Sequence, residues 1–224
     1  MIAKLVISTA ALTLVLAIVL LSAAGTIHWP AAWGYLAEFS ALNIGVGLWL
    51  ARHDPGLLAE RLGSPFQRAQ KAWDKAFMAV VMVLYFGWIT LIGLDERWAI
   101  SRMPTWLQWA GALLVALSMY VVFLTFRENS YAAPVVKIQR ERGQTVVTTG
   151  PYAIVRHPMY AGGLLIFLGT PLQLGSWLGL VTSLVLMPLL SVRIVLEERV
   201  LRTELDGYDD YARRVRWRLI PRIW

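Results

Sequence analysis

Cysteine is absent, which excludes disulfides, thiolate nucleophiles and zinc–sulfur centres together. Histidine is scarce: His28, His53 and His157 are the whole set, too few and too scattered for a histidine metal cluster, so no metal is expected. Charge is thin too, at 16% of residues against 58% hydrophobic ones, a balance foreign to soluble domains. The net charge of +7 is not laid out as basic grooves interleaved with aromatics, which speaks against nucleic acid as partner. Neither internal repeats nor low-complexity tracts are present. What remains is a set of long apolar runs separated by basic connectors, the pattern of a polytopic helical membrane protein.

The first run, Leu5 to Ala24, follows a lone Lys4. Ser22-Ala23-Ala24 resembles a signal-peptide cleavage site, but the run exceeds the usual apolar core of such peptides, so a first membrane helix is expected. Trp29 and Trp33 mark an interface. A second span covers about 32–50 and contains Glu38 and Asn43, which must face protein or water. The polar connector 52–74 carries the turn Asp54-Pro55-Gly56 and a short interfacial helix at 57–62. A third span covers about 75–94 and a fourth about 105–126. The apolar stretch from Met159 to Leu196 is too long for one helix; Pro171 and Leu174-Gly175-Ser176 are expected to divide it into a hairpin of 159–172 and 177–196, its second arm kinked at Pro188. Gly162, Gly163 and Gly169 suit close helix approach in the first arm.

Six crossings follow, in an all-α fold and a single membrane domain: a four-helix part over 1–126, and a core with a basic tail over 127–224. Arg52, Arg61, Arg68 and Lys71 lie in one connector and Arg127, Lys137, Arg140, Arg142 and Arg156 in another, with six arginines beyond Leu201. These stretches fall on the cytoplasmic side, with both termini, by the positive-inside rule. The balance points to a prokaryotic inner membrane.

Two features carry chemistry. The first is the polar segment from Gln144 to His157 with the helix that Pro158 opens. A residue before proline is pushed to extended backbone, and proline suits the first helical position. The free N–H groups of that helix start suit an anionic group on a small ligand. The second is Arg193-Ile-Val-Leu-Glu197-Glu198-Arg199. Arg193 and Glu197 share a helix face, and two adjacent carboxylates near a helix end invite a cation or a network with Arg193, Arg199 and Arg202. Beyond them, Tyr208, Tyr211 and Trp217 among arginines suit a tail lying on lipid headgroups and folding over the site.

The run Val146-Val-Thr-Thr-Gly-Pro-Tyr-Ala-Ile-Val-Arg-His-Pro-Met-Tyr160 resembles the signature of the isoprenylcysteine carboxyl methyltransferase family, itself related to phospholipid methyltransferases. Glu197-Glu198, followed by Gly207-Tyr208 and Tyr211, resembles that family's second motif. The likeness covers about 127–221. It implies S-adenosylmethionine (SAM) as methyl donor. Carried over by position, donor contacts fall on Lys137, Gln144, Thr145, Val146, Val147, Tyr152, His157, Pro158, Met159, Tyr160, Glu197 and Glu198. Glu197 and Tyr160 would stand at the reacting centre, and Arg193 would orient the acceptor. Gln144 stands where family members often have His, and Lys137 where the eukaryotic enzymes have Gln. The expected acceptor is lipophilic and anionic, a small molecule or lipidated substrate in contact with membrane lipids. Two other readings stay open. Sterol reductases, which use NADPH, carry a similar His-Pro-x-Tyr region. A transporter or structural subunit would instead use Glu38 and Asn43 to line a path.

Overall fold

A computed structural model describes residues 1–67 and 69–224. Arg68, counted above among the connector's basic residues, lies outside the described residues. Among those described, all regular secondary structure is helical, as the all-α expectation requires. In chain order the helices are α1 (Ile2–Ala24), α2 (Pro30–His53), α3 (Pro55–Arg61), α4 (Ala72–Arg97), α5 (Thr105–Glu128), α6 (Pro158–Leu174), α7 (Trp177–Glu204) and α8 (Tyr208–Arg214). The connector between α5 and α6 is irregular apart from two 3₁₀ turns, Arg140–Arg142 and Gly150–Ala153.

Among the described residues, four helices are long and apolar enough to cross a membrane: α1, α4, α5 and α7. The other two expected spans, α2 and α6, are not among them; α2 carries Glu38, Arg52 and His53, and α6 has 17 residues. The boundaries have local causes. Gly25 and Gly175 take left-handed backbone and stop α1 and α6. Pro55 opens α3, and the Asp54 side chain accepts from the Leu57 N–H at 2.8 Å, a cap worth about 1 kcal/mol. Ser176 caps α7 through the Gly179 N–H at 2.8 Å. Pro171 does not divide the apolar stretch as expected. It lies inside the last turn of α6, and the break comes four residues later at Gly175. Pro188 likewise lies inside α7, which runs unbroken to Glu204.

Small residues set the packing of α5 on α6. A Cβ on Gly111 would stand 2.2 Å from the Gln173 backbone nitrogen, and one on Gly169 would stand 2.9 Å from the Gly111 carbonyl. Nearer the connector, the Ser118 hydroxyl donates to the Gly162 carbonyl at 2.7 Å. The two backbones therefore meet along most of α6. Leu16 and Leu20 of α1, Tyr35 of α2, Trp88, Ile89 and Ile92 of α4, Val115 of α5 and Leu174 of α6 form the main core. Glu38 faces protein, accepting from Gln173 Nε2 at 2.7 Å, while the Asn43 amide donates to the Phe39 carbonyl of its own helix. This frame holds the start of α6 and the end of α7 side by side under the α5–α6 connector.

Candidate active site

The residue pair at the start of α6 is anchored on both sides. The Arg156 and His157 N–H groups donate to the Trp217 and Arg218 carbonyls, each at 2.9 Å, so the tail runs beside them as a short strap. Arg156 also spreads its guanidinium over the Val215 and Arg216 carbonyls at 2.8 and 2.9 Å. His157 takes φ −127° and ψ 63°, outside the α region that a following proline disfavours but short of the extended backbone expected, and no side chain caps the helix that Pro158 opens. Leu219 then packs on Tyr160 and Ile194.

The two adjacent glutamates of α7 do different things. Glu198 is buried at 2% exposure and fully engaged: it accepts from Arg156 Nε at 2.6 Å and Arg218 Nε at 2.9 Å, and His157 Nε2 lies 3.2 Å away. Glu197, about 100° further round the helix, accepts from the Tyr160 hydroxyl at 2.6 Å and faces a cleft. Arg193 shares its helix face but turns to the N-terminal half. Its Nε donates to Asp74 at 3.1 Å and an Nη to the Pro134 carbonyl at 2.9 Å. Asp74 has no exposure at all and also accepts from Gln70 and from the Val136 N–H. One buried carboxylate thus ties the start of α4, the connector and α7 together.

The cleft has a volume of about 820 Å³ including its mouth. It is a slot rather than a chamber. Its walls bring together Lys137, Gln144, Thr145, Val146, Val147, Tyr152, His157, Met159, Tyr160 and Glu197. Three residues expected at the site do not line it. Glu198 is locked behind Arg156, His157 and Arg218; Pro158 is buried at the first position of α6; Arg193 is turned to Asp74.

Polar wall groups are held in place by partners on distant elements. Lys137 Nζ donates to Glu60 of α3 at 2.7 Å, and Gln144 Oε1 accepts from the Gln139 N–H at 2.7 Å. Tyr152 Oη accepts from Asn129 at 2.7 Å, and the Tyr211 hydroxyl donates to the Tyr152 carbonyl at 2.8 Å. Burial, reinforced by the Glu197 charge, pushes the Tyr152 phenol well above its ordinary range, so it stays neutral. Tyr208 also lines the cleft at 3% exposure, and its phenol is likewise lifted, first by burial and then by Glu198. Its hydroxyl finds no partner among the described residues. Buried polar atoms in folded proteins are almost always paired, so an orphaned one on a cleft wall marks a place for a ligand atom.

Sequence reasoning missed several of these residues. Asn129 and Tyr131 line the cleft, as do Tyr208 and Tyr211 of the second motif, while Glu60 holds Lys137 and Asp74 holds Arg193 behind it. The spacing of Tyr208 and Tyr211, three apart on α8, was the available signal for that pair. Glu60 and Asp74 gave none, since their partners lie 77 and 119 residues away.

Comparison with known proteins matches residues 106–205 to the family described as phospholipid methyltransferase. The chain is similar to the protein-S-isoprenylcysteine O-methyltransferase of Schizosaccharomyces pombe, 40% identical over 83 residues, which is 36% of this chain and 35% of that one. It is similar to protein-S-isoprenylcysteine O-methyltransferase B of Arabidopsis thaliana, 30% identical over 125 residues, 55% of this chain and 60% of that one. Methanethiol S-methyltransferase 2 of Bradyrhizobium diazoefficiens is 28% identical over 161 residues, 65% of this chain and 56% of that one. The chain therefore spans between 35% and 60% of the length of these relatives.

Proposed function

We propose that this chain, which belongs to the isoprenylcysteine carboxyl methyltransferase family, is a membrane enzyme that transfers a methyl group from SAM to a lipophilic, anionic acceptor. The observation that carries the reading is the cleft itself. It offers the Glu197 carboxylate, the cations Lys137 and Arg156, buried aromatic rings and the orphaned Tyr208 hydroxyl. That set complements a molecule bearing an ammonium, a carboxylate and a nucleoside. Bound there, the donor presents a sulfonium methyl to a nucleophile, the C–S bond breaking with its electron pair left on sulfur as the new bond forms.

The protein's share is positioning, with no acid or base needed for an acceptor that is already an anion. Glu197, fixed by the Tyr160 hydroxyl, takes the ammonium or the ribose hydroxyls. At the uncapped start of α6 the Met159 N–H suits the carboxylate, since the His157 N–H is taken by the Arg218 carbonyl and Pro158 has none, and Lys137 stands on the same cleft wall. Gln144 to Val147 offer backbone and amide groups along one wall, and Tyr152 and Tyr208 give the nucleoside a face and a hydroxyl partner. Arg193 acts on the acceptor side. Glu198 acts through His157 and Arg156, keeping the floor of the cleft in register. In the membrane, α2 and α6 join the four long apolar helices as crossings, α6 and α7 form the terminal hairpin, and the cleft and both termini face the cytoplasm of a prokaryotic cell.

Calorimetric titration of the purified protein with S-adenosylhomocysteine, the demethylated donor, tests the reading. Binding is expected, weakened about 10-fold by Glu197→Gln and about 2- to 10-fold by Tyr208→Phe, in line with one charged and one neutral hydrogen bond. NADPH is expected not to bind. Binding of NADPH without binding of the adenosyl compound would overturn the assignment.

A further inference from the structure

Five tyrosines line the cleft: Tyr131, Tyr152, Tyr160, Tyr208 and Tyr211. Their hydroxyl protons are not equally available. The Tyr160 proton goes to Glu197 at 2.6 Å, that of Tyr211 to the Tyr152 carbonyl at 2.8 Å and that of Tyr131 to the Gly143 carbonyl at 3.1 Å. The Tyr208 hydroxyl has no partner among the described residues and is free to turn either way. Tyr152 is the remaining case. Its oxygen accepts from the Asn129 side-chain nitrogen at 2.7 Å, and among the described residues no acceptor takes its proton.

Asn129 decides this direction. It follows the last residue of α5, and its Oδ1 accepts from the Tyr131 N–H at 2.8 Å, closing a side-chain turn over two residues. A backbone N–H only donates, so the amide oxygen must face it and the amide nitrogen is left facing Tyr152. That nitrogen also only donates, so the Tyr152 hydroxyl must accept from it and has its own proton to give elsewhere. Burial lifts the Tyr152 phenol well above its ordinary range, which keeps the proton in place. The surroundings are uncharged: Tyr152 packs with Val146, Leu201 and Leu205 around Tyr208 and Tyr211. A flat heteroaromatic ring suits this apolar end, whereas Lys137, Arg156 and Glu197 suit the charged parts of a ligand. The ring nitrogens of such a base are acceptors, and burying one without a donor is costly.

We propose that Asn129 is a positioning residue for donor recognition: it holds the Tyr152 hydroxyl as an obligate hydrogen-bond donor, which reads the lone pair of one ring nitrogen of the donor's adenine. The inference rests on the methyl-transfer reading and deepens it by assigning the base a specificity-determining partner. A purine carrying an N–H at the position read would set two donors face to face and be rejected.

The test is calorimetric titration of the full chain in detergent with S-adenosylhomocysteine and its 1-deaza, 3-deaza and 7-deaza analogues, each of which replaces one ring nitrogen by C–H. Wild type is expected to bind one of the three analogues about 3- to 10-fold more weakly, the share of one neutral hydrogen bond. Tyr152→Phe should remove that penalty, and so should Asn129→Asp. The aspartate keeps an oxygen for the Tyr131 N–H, so the turn survives, but its second oxygen only accepts and draws the Tyr152 proton out of the cleft. Its added charge is common to all four ligands and cancels in their ratio. Combining Asn129→Asp with Tyr152→Phe should leave the ratio within about twofold of Tyr152→Phe alone. A wild type that binds S-adenosylhomocysteine but treats the four ligands alike overturns the proposal and leaves the donor assignment standing. A penalty that survives either single substitution also overturns it. If Asn129→Asp does not fold, 3-fluorotyrosine in place of Tyr152 decides: a more acidic phenol donates better, so the penalty should grow, and a penalty that shrinks refutes the donor polarity. If wild type binds none of the four, the donor reading falls and this inference with it.

Discussion

Removing the Glu198 carboxylate isolates the difference between the two adjacent glutamates. In Glu198→Ala, Arg156, His157 and Arg218 lose their common acceptor at a site only 2% exposed. Two buried charge-assisted bonds at about 1.5–3 kcal/mol each set the scale, and the methylene volume lost adds to it. Two effects reduce the sum. Arg156 keeps the Val215 and Arg216 carbonyls, and the Arg218 side chain, 32% exposed, is able to rehydrate. The expected loss is therefore about 3–5 kcal/mol, the range for breaking a buried ion pair from one side. Because Arg218 leaves with it, the strap at 215–219 should loosen first. Denaturant titration in mild detergent measures the stability, and amide exchange of Arg156 and His157, which donate to the strap, reports its release. Glu197→Ala serves as the contrast, since it breaks one hydrogen bond to Tyr160 and should cost about 1 kcal/mol. A Glu198→Ala protein within about 1 kcal/mol of wild type, with those amides still protected, would refute the assignment of Glu198 as the lock beneath the cleft.

Four further outcomes follow from the same geometry. Glu197→Gln should lower methyl transfer about 100-fold or more while leaving thermal unfolding nearly unchanged, as read by product formation on a radiolabelled donor. Asp74→Asn should weaken the hold on Arg193 and on the Val136 N–H, costing about 2–4 kcal/mol and lowering turnover in the same assay. Gly111→Val should prevent α5 from reaching α6, because its Cβ would overlap the Gln173 backbone; failure to recover folded protein by size-exclusion chromatography checks it, and normal recovery would contradict the packing. Lys137→Met should weaken S-adenosylhomocysteine binding severalfold and leave Glu60 without its partner, with Glu60→Gln producing a smaller loss in the same titration.

How much of this was readable in advance depended on how local each cause was. The His157-Pro158 junction and the start of α6 follow from steric rules acting on two residues, and they stand where the sequence puts them. Gly175 ends α6 because a left-handed residue is needed there, while Pro171 is tolerated inside the last turn because the Phe167 carbonyl, which loses its helical N–H, accepts from the Ser183 hydroxyl at 2.7 Å. The adjacent glutamates were visible as a pair, but which one faces a ligand is a matter of helix rotation, decided by Arg156 and Arg218 from elsewhere in the chain. Arg193 and Glu197, expected together on one face, take separate partners in Asp74 and Tyr160. Asp74 and Glu60 acquire their roles only through tertiary packing, so no spacing rule reaches them.

The carboxylates that steady Arg193 and Lys137 come from α4 and α3, outside residues 106–205. The stretch with a family likeness is therefore not a transplantable module. A chimera grafting it onto the first hundred residues of a relative would insert and fold its helices, yet two working cations would hang loose unless acidic side chains were supplied at the matching depth. Any graft of residues 106–205 has to bring Glu60 and Asp74 with it, because the two acids and their cations make one charge-balanced unit across the two halves of the chain.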